Sequence, residues 1–311
     1  MLFENTQIVT IQVSILFLLI ATGYIVRKIG WINEQGIHQL TTILLMIVTP
    51  CLIINAFQMP YEPDLLVSLL IAAGSAILAH LIGIVIGGLS FRGQPDSSRK
   101  VLRFAIIFSN CGFMCIPVLQ AVLGSRGVFL GSVYIALFNV IQWTYGVLLM
   151  TGNKKDINLR KALINPGTIG LIIGLGFFLF GYKLPIIPAQ AISHLAEVNT
   201  SLAMLIIGAQ MADTRLGDIW KNPQNYLVTF YRLLLIPVLL LLILNAFGLN
   251  RELILACLIP ACAPVAAGTV LFATRYRQDA ALATHTLAMT TLFSIVSMPL
   301  LIFLTDLLAG F

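Results

Sequence analysis

The sequence predicts an all-α integral membrane fold of ten transmembrane helices, built as two five-helix repeats inverted in the bilayer. Three observations carry this. Of 311 residues, 59% are hydrophobic and only 10% are charged, and the mean hydropathy is +0.98. A soluble domain would need ~25% charged residues to solvate its surface. Ten apolar runs reach roughly the 20 residues needed to cross a hydrocarbon core of ~30 Å. Finally, lysine and arginine concentrate in alternate loops between those runs.

The runs span 8–26, 37–57, 65–89, 101–123, 127–150, 164–182, 189–211, 226–248, 252–273 and 280–305. Helices are required because lipid offers no partner to open backbone groups. A closed barrel would need alternating strands, and these runs do not alternate. The net charge of +6 does not indicate a nucleic-acid partner, since the charges sit in short loops rather than on one face. All five cysteines (Cys51, Cys111, Cys115, Cys257 and Cys262) fall within apolar runs and read as small buried residues, not a disulfide framework. No cleavable leader is expected, because the first run follows MLFENTQ, which lacks a basic region.

With the amino terminus outside, the inside loops hold fourteen basic residues: Arg27, Lys28, Arg92, Arg99, Lys100, Arg103, Lys154, Lys155, Arg160, Lys161, Arg215, Lys221, Arg275 and Arg277. The outside loops hold three, Arg126, Lys183 and Arg251, while Arg232 lies within the eighth run. This asymmetry puts both termini outside. The basic segment 152–163 is the midpoint. Residues 1–151 form the first repeat and 164–311 the second, which enters from the opposite side. Asn165-Pro166-Gly167 opens the sixth run, with Pro166 suited to a first helical turn. The halves also share short matches: Val118-Leu119-Gln120-Ala121 with Val270-Leu271-Phe272-Ala273, and Leu137-Phe138 with Leu292-Phe293.

The fourth and ninth runs occupy corresponding places, and both are interrupted. One reads Ser109-Asn110-Cys111-Gly112-Phe113-Met114-Cys115-Ile116-Pro117, the other Pro260-Ala261-Cys262-Ala263-Pro264-Val265-Ala266-Ala267-Gly268-Thr269. Proline within a helix removes a hydrogen bond and clashes with the preceding turn. Backbone freed at membrane depth is tolerated only against protein or a wet cavity. Paired breaks in matching helices of inverted halves point to a transporter site. The amino ends of broken half-helices favour an anion.

The stretch Asn110–Val118 resembles the N-x-G-F-x-G-[IL]-P-L signature of the auxin efflux carrier family. Gly268-Thr269-Val270-Leu271-Phe272-Ala273, with Tyr276 and Asp279 beyond it, is also similar, and the likeness extends over essentially the whole chain, including Pro50. Plant auxin carriers and bacterial malonate and malate permeases belong to that family. The resemblance implies an elevator-type fold in which helices 4 and 9 cross at the midplane. Helices 1, 2, 6 and 7 would then form a scaffold and the other six a transport domain. It also implies a bacterial cytoplasmic membrane. Cys115 stands where the family usually carries glycine, and Gly268 where bacterial members often carry asparagine. His80 is the only ionisable residue in the third run, where plant members carry an Asp/Lys pair.

Carried over residue by residue, the resemblance points to Asn110, whose amide can donate to a carboxylate and accept from backbone. Backbone at Cys111, Gly112, Ile116, Gly268 and Thr269 would supply further dipoles, shaped by Pro117 and Pro264. Asn139 and Gln142 share one helical face, as do Thr290, Ser294 and Ser297. Each set either lines a cavity or joins helices, with Gln142 the better site candidate and Tyr145 a packing residue. Glu197, about 12 Å into its helix at 1.5 Å per residue, and His80 are candidates for ion or proton coupling. Arg232, six residues into its run, either snorkels to the interface or has a functional role as a charge within a membrane run, and His285 likewise. Gly83-x-x-x-Gly87 and Gly170-x-x-x-Gly174 signal close packing, within the chain or between two copies.

The function expected is secondary transport of small organic anions, mono- or dicarboxylates, with H+ coupling, Na+ coupling and uniport all open. A passive channel or non-transporting sensor is the alternative. A lipid enzyme would need clustered acidic or histidine residues that the loops lack, so no catalytic residue, metal or cofactor is expected.

Overall fold

The computed structural model describes residues 2–158, 160, 163–212 and 216–309. Lys161 and Arg215, two of the inside-loop cations, lie outside these residues. The described chain is helical, and its one β-type pairing is an isolated bridge between Ser109 and Val265. The helices are α1 (Leu2–Lys28), α2 (Glu34–Ala56), α3 (Pro63–Leu89), α4 (Asp96–Ile107), α5 (111–123), α6 (125–151), α7 (Pro166–Leu179), α8 (Ile186–Ala212), α9 (Pro223–Ala246), α10 (Arg251–Cys262), α11 (Gly268–Arg275) and α12 (Ala280–Ala309).

Among the described residues, six helical stretches are long and apolar enough to cross a membrane: α2, α3, the run Cys111–Thr151, α8, α9 and α12. The chain is a multi-pass membrane protein. The fourth expected run is divided into α4 and α5, and the ninth into α10 and α11. Helix α5 continues into α6 with only Gly124 outside helical geometry, at φ 62° and ψ −154°. That backbone is open to glycine and strained for any residue with a Cβ. Helix α7 is a shorter apolar helix of 14 residues, with Pro166 in its first turn and Asn165 accepting from the Thr168 amide at 3.0 Å.

Four π-turns interrupt the longer helices: Leu44–Val48, Cys111–Cys115, Gln142–Gly146 and Tyr231–Leu235. Three of them end two residues before a proline, at Pro50, Pro117 and Pro237. The physical cause is shared. Proline cannot donate, and its ring crowds the carbonyl four residues back, so the preceding turn widens to absorb the mismatch. These turns redirect side chains that a regular helix would place elsewhere.

Helices α1, α2, α7 and α8 pack on one another through small residues. A Cβ on Gly23 would collide with the Leu205 backbone of α8, and one on Gly208 with the Ile20 carbonyl of α1. Gly170 lies 3.0 Å from Pro50, and Gly174 the same distance from Phe57, measured to an added Cβ. Gly83 and Gly87 of α3 face Ile107 and Arg103 of α4 in the same way. Both glycine pairs therefore pack inside the chain. The remaining helices, α3–α6 and α9–α12, form a second group, which meets the first through α12, α6 and the Cys111–Cys115 turn.

Replacing Gly208 with alanine should destabilise the protein by roughly 1–3 kcal/mol, the usual range for overpacking. Gly74→Ala, where an added Cβ meets nothing within 4 Å, should be neutral or slightly stabilising. Thermal unfolding of the two purified variants in detergent checks the contrast.

Candidate functional site

Helix α4 stops at Ile107 because Phe108 turns extended, at φ −103° and ψ 114°. Helix α10 stops at Cys262, where Ala263 is extended ahead of Pro264. A residue before proline is driven out of helical geometry by the ring. The two freed segments run antiparallel and satisfy each other. The Asn110 amide donates to the Pro264 carbonyl at 2.7 Å, and the Ala266 amide donates to the Phe108 carbonyl at 3.0 Å. The Val265 amide donates to Thr290 Oγ1 at 3.1 Å, and that hydroxyl donates onward to the Thr286 carbonyl at 2.7 Å. One threonine of α12 thus anchors the crossing as both acceptor and donor.

On the far side of the crossing, the chain resumes as α5 from Cys111 and α11 from Gly268. Neither start has a side-chain cap. Amino ends carry partial positive charge, and at the start of α11 the Thr269 and Val270 amides donate to the Ala266 and Ala267 carbonyls at 2.9 and 3.2 Å. Asn110 is 3% exposed and Gln142 6% exposed. Asn110 Nδ2, Gln142 Nε2 and Thr269 Oγ1 are buried and find no hydrogen-bond partner among the described residues. Such groups cost about 1–3 kcal/mol each when unmet. The Gln142 amide lies over the start of α11, so a Cβ on Gly268 would come within 2.9 Å of Nε2. Gly112, partly open, has nothing within 4 Å of the Cβ it lacks. The Cys111–Cys115 turn also packs against α8.

Asn110, Cys111, Gly112, Pro264, Gly268, Thr269 and Gln142 thus gather at or beside the crossing, with Ile116 and Pro117 buried in the second turn of α5. The Cys115 thiol donates to the Cys111 carbonyl, and all five cysteines are free. Among the described residues no cluster of His, Cys, Asp and Glu could hold a metal ion. Asn139 faces Gly167 at the start of α7, not the crossing. Ser294 donates to the Thr291 carbonyl at 2.6 Å, and its hydroxyl lies 4.0 Å from Met114 Sδ, so this part of the α12 stripe holds helices together.

The two coupling candidates separate. His80 is buried beside the break, its ring centroid 6.0 Å from Phe108 and 5.3 Å from Tyr134, with Nδ1 2.7 Å from the Ala76 carbonyl. Glu197 is 70% exposed on α8, 3.7 Å from His194, and is not brought to the crossing. His285 is partly exposed.

Arg232 requires a correction. Rather than snorkelling, it is 1% exposed, and its guanidinium meets backbone carbonyls at the ends of α4 and α10. Distance from the segment end suggested an interfacial position, but Arg232 lies in the π-turn Tyr231–Leu235 with its side chain buried in the protein. The available signal was an arginine inside an apolar run, which is a functional hypothesis by default.

A family model described as "Membrane transport protein" matches residues 8–302. The chain belongs to this family, the auxin efflux carriers. An uncharacterized transporter of Methanothermobacter thermautotrophicus is 24% identical over 311 aligned residues, covering 96% of this chain and 98% of the relative. One of Methanocaldococcus jannaschii is 24% identical, covering 91% and 94%. The uncharacterized transporter YfdV of Escherichia coli is 26% identical over 210 residues, covering 64% and 65%. The family is one of membrane transporters and not of enzymes.

Thr290→Val should leave the buried Val265 amide unmet and lower stability by about 1–3 kcal/mol, whereas Thr290→Ser should stay near wild type. Thermal midpoints of the purified variants decide this.

Proposed function

We propose that this family member is a secondary carrier for small organic anions, carboxylates above all, which binds its substrate at the helix crossing and exposes it alternately to the two sides. The observation that carries the reading is the pair of helix starts without side-chain caps, at Cys111 and Gly268, that flank one crossing, with the side-chain amides of Asn110 and Gln142 buried and without partners there among the described residues. Amides and positive helix ends at membrane depth suit a carboxylate. Asn110 Nδ2 and Gln142 Nε2 would donate to it, while Gly112 and Gly268 let it approach the backbone.

The matched breaks and the alternation of basic loops support two inverted five-helix repeats, with both termini outside and the basic loops facing the cytoplasm. The packing of α1, α2, α7 and α8 on one another supports their role as a scaffold against which α3–α6 and α9–α12 move. The Cys111–Cys115 turn, where it touches α8, lies between the two groups. An elevator-type displacement of the second group would carry the crossing across the bilayer.

Uptake by proteoliposomes, measured with a panel of mono- and dicarboxylates with and without a Na+ or H+ gradient, tests this. At least one carboxylate should accumulate or exchange, and Asn110→Ala and Gln142→Leu should each lower its initial rate at least tenfold at equal protein. No carboxylate movement under any gradient would overturn the substrate class. Wild-type rates in Asn110→Ala would remove that residue from the site.

A further inference from the structure

The carboxyl ends of α4 and α10 share one cation. Arg232 Nε donates to the Ala263 carbonyl at 3.1 Å, one Nη to the Ile106 carbonyl at 3.0 Å and, at 3.5 Å, the Ile107 carbonyl. The other Nη donates to the Ala261 carbonyl. These acceptors are the last residues of α4 and the last residues and cap of α10. The guanidinium is fully enclosed, and among the described residues no carboxylate forms an ion pair with it. The Tyr134 side chain is among the groups that interact with it.

A buried cation without a carboxylate must be met by dipoles, and two helix carboxyl ends supply them. Each carries about −0.5 of an elementary charge, so the pair offsets one guanidinium. With those carboxyl ends turned to Arg232, the amino ends of α5 and α11 keep about +0.5 each. Only a planar fork of five donors reaches carbonyls of two helices at once, whereas an ammonium is a point charge. Were packing the only requirement, an apolar side chain would serve as well or better.

We propose that Arg232 is the positioning residue of the crossing. It clamps the carboxyl ends of α4 and α10 into one unit and thereby holds the amino ends of α5 and α11 in the register that meets a bound anion. The second half rests on the anion-carrier reading, and the clamp itself does not.

The buried thiols report the clamp without any substrate. Cys111 starts α5, Cys262 ends α10, and the partly exposed Cys51 of α2 serves as an internal control. The full chain in native membrane vesicles is treated with N-ethylmaleimide, and labelling at each cysteine is followed by mass spectrometry for wild type, Arg232→Lys and Arg232→Met. Labelling of Cys111 and Cys262 should quicken at least tenfold in Arg232→Met and less in Arg232→Lys, with Cys51 unchanged. Unchanged rates at Cys111 and Cys262 in a monodisperse Arg232→Met protein would overturn the clamp. So would failure of both variants to accumulate, which would assign Arg232 to the fold as a whole. For a carboxylate that wild type transports, Arg232→Lys should raise KM at least tenfold with a smaller change in maximal rate. A change in maximal rate alone would overturn the link to the anion. If wild type moves no carboxylate, the anion-carrier reading fails while the thiol result still judges the clamp.

Discussion

Two helices that stop inside the protein core leave carbonyls and amides that water cannot reach, and the structure supplies partners for them. Each unmet group costs several kcal/mol in hydrocarbon. The two breaks meet part of that cost by crossing, with Asn110 donating to Pro264 and Ala266 to Phe108. Thr290 serves the Val265 amide, and Arg232 gathers the carbonyls at the two carboxyl ends. Donors and acceptors come from four different helices, so the crossing is a product of tertiary packing and not of local sequence.

The amino ends at Cys111 and Gly268 are the part left open. Asn110 and Gln142 each keep a buried donor there that has no partner among the described residues, next to a glycine that leaves room. Both residues sit at or beside π-turns, where the backbone departs from regular helical geometry and re-aims side chains. The rest of the bundle is closed by tight glycine contacts, as where Gly208 abuts Ile20. Among the described residues, unmet polar atoms also occur elsewhere in the bundle, as at Asn199 and Asn225, but at the crossing four gather: Ser109, Asn110, Gln142 and Thr269.

Much of this was legible in the sequence. Apolar run length and loop charge announced a helical membrane protein, and Pro264 and the Asn110–Pro117 stretch marked where helices stop. Gly170-x-x-x-Gly174 announced close packing but not its partner, because the motif states only that a backbone comes near. The snorkelling alternative for Arg232 fails because depth along a segment does not give the direction a side chain points, and the π-turn that holds it has no signature beyond the proline at 237. Glu197 stood out as an acid in an apolar run, yet the face of α8 that carries it is outward. The pairing of Thr290 with Val265 spans two helices and a break, which no local pattern encodes.

The antiparallel pairing at the crossing has a consequence for how the chain is made. The Asn110 amide is bonded to Pro264, a residue translated long after it. At ~5–20 residues per second, roughly 8–30 s pass before that partner leaves the ribosome. During that interval the first half holds an open break at membrane depth. Its early helices must tolerate water, neighbouring lipid headgroups or a chaperoning insertase at that position until α10 arrives. Completion of the fold therefore depends on the second half reaching the break at Asn110.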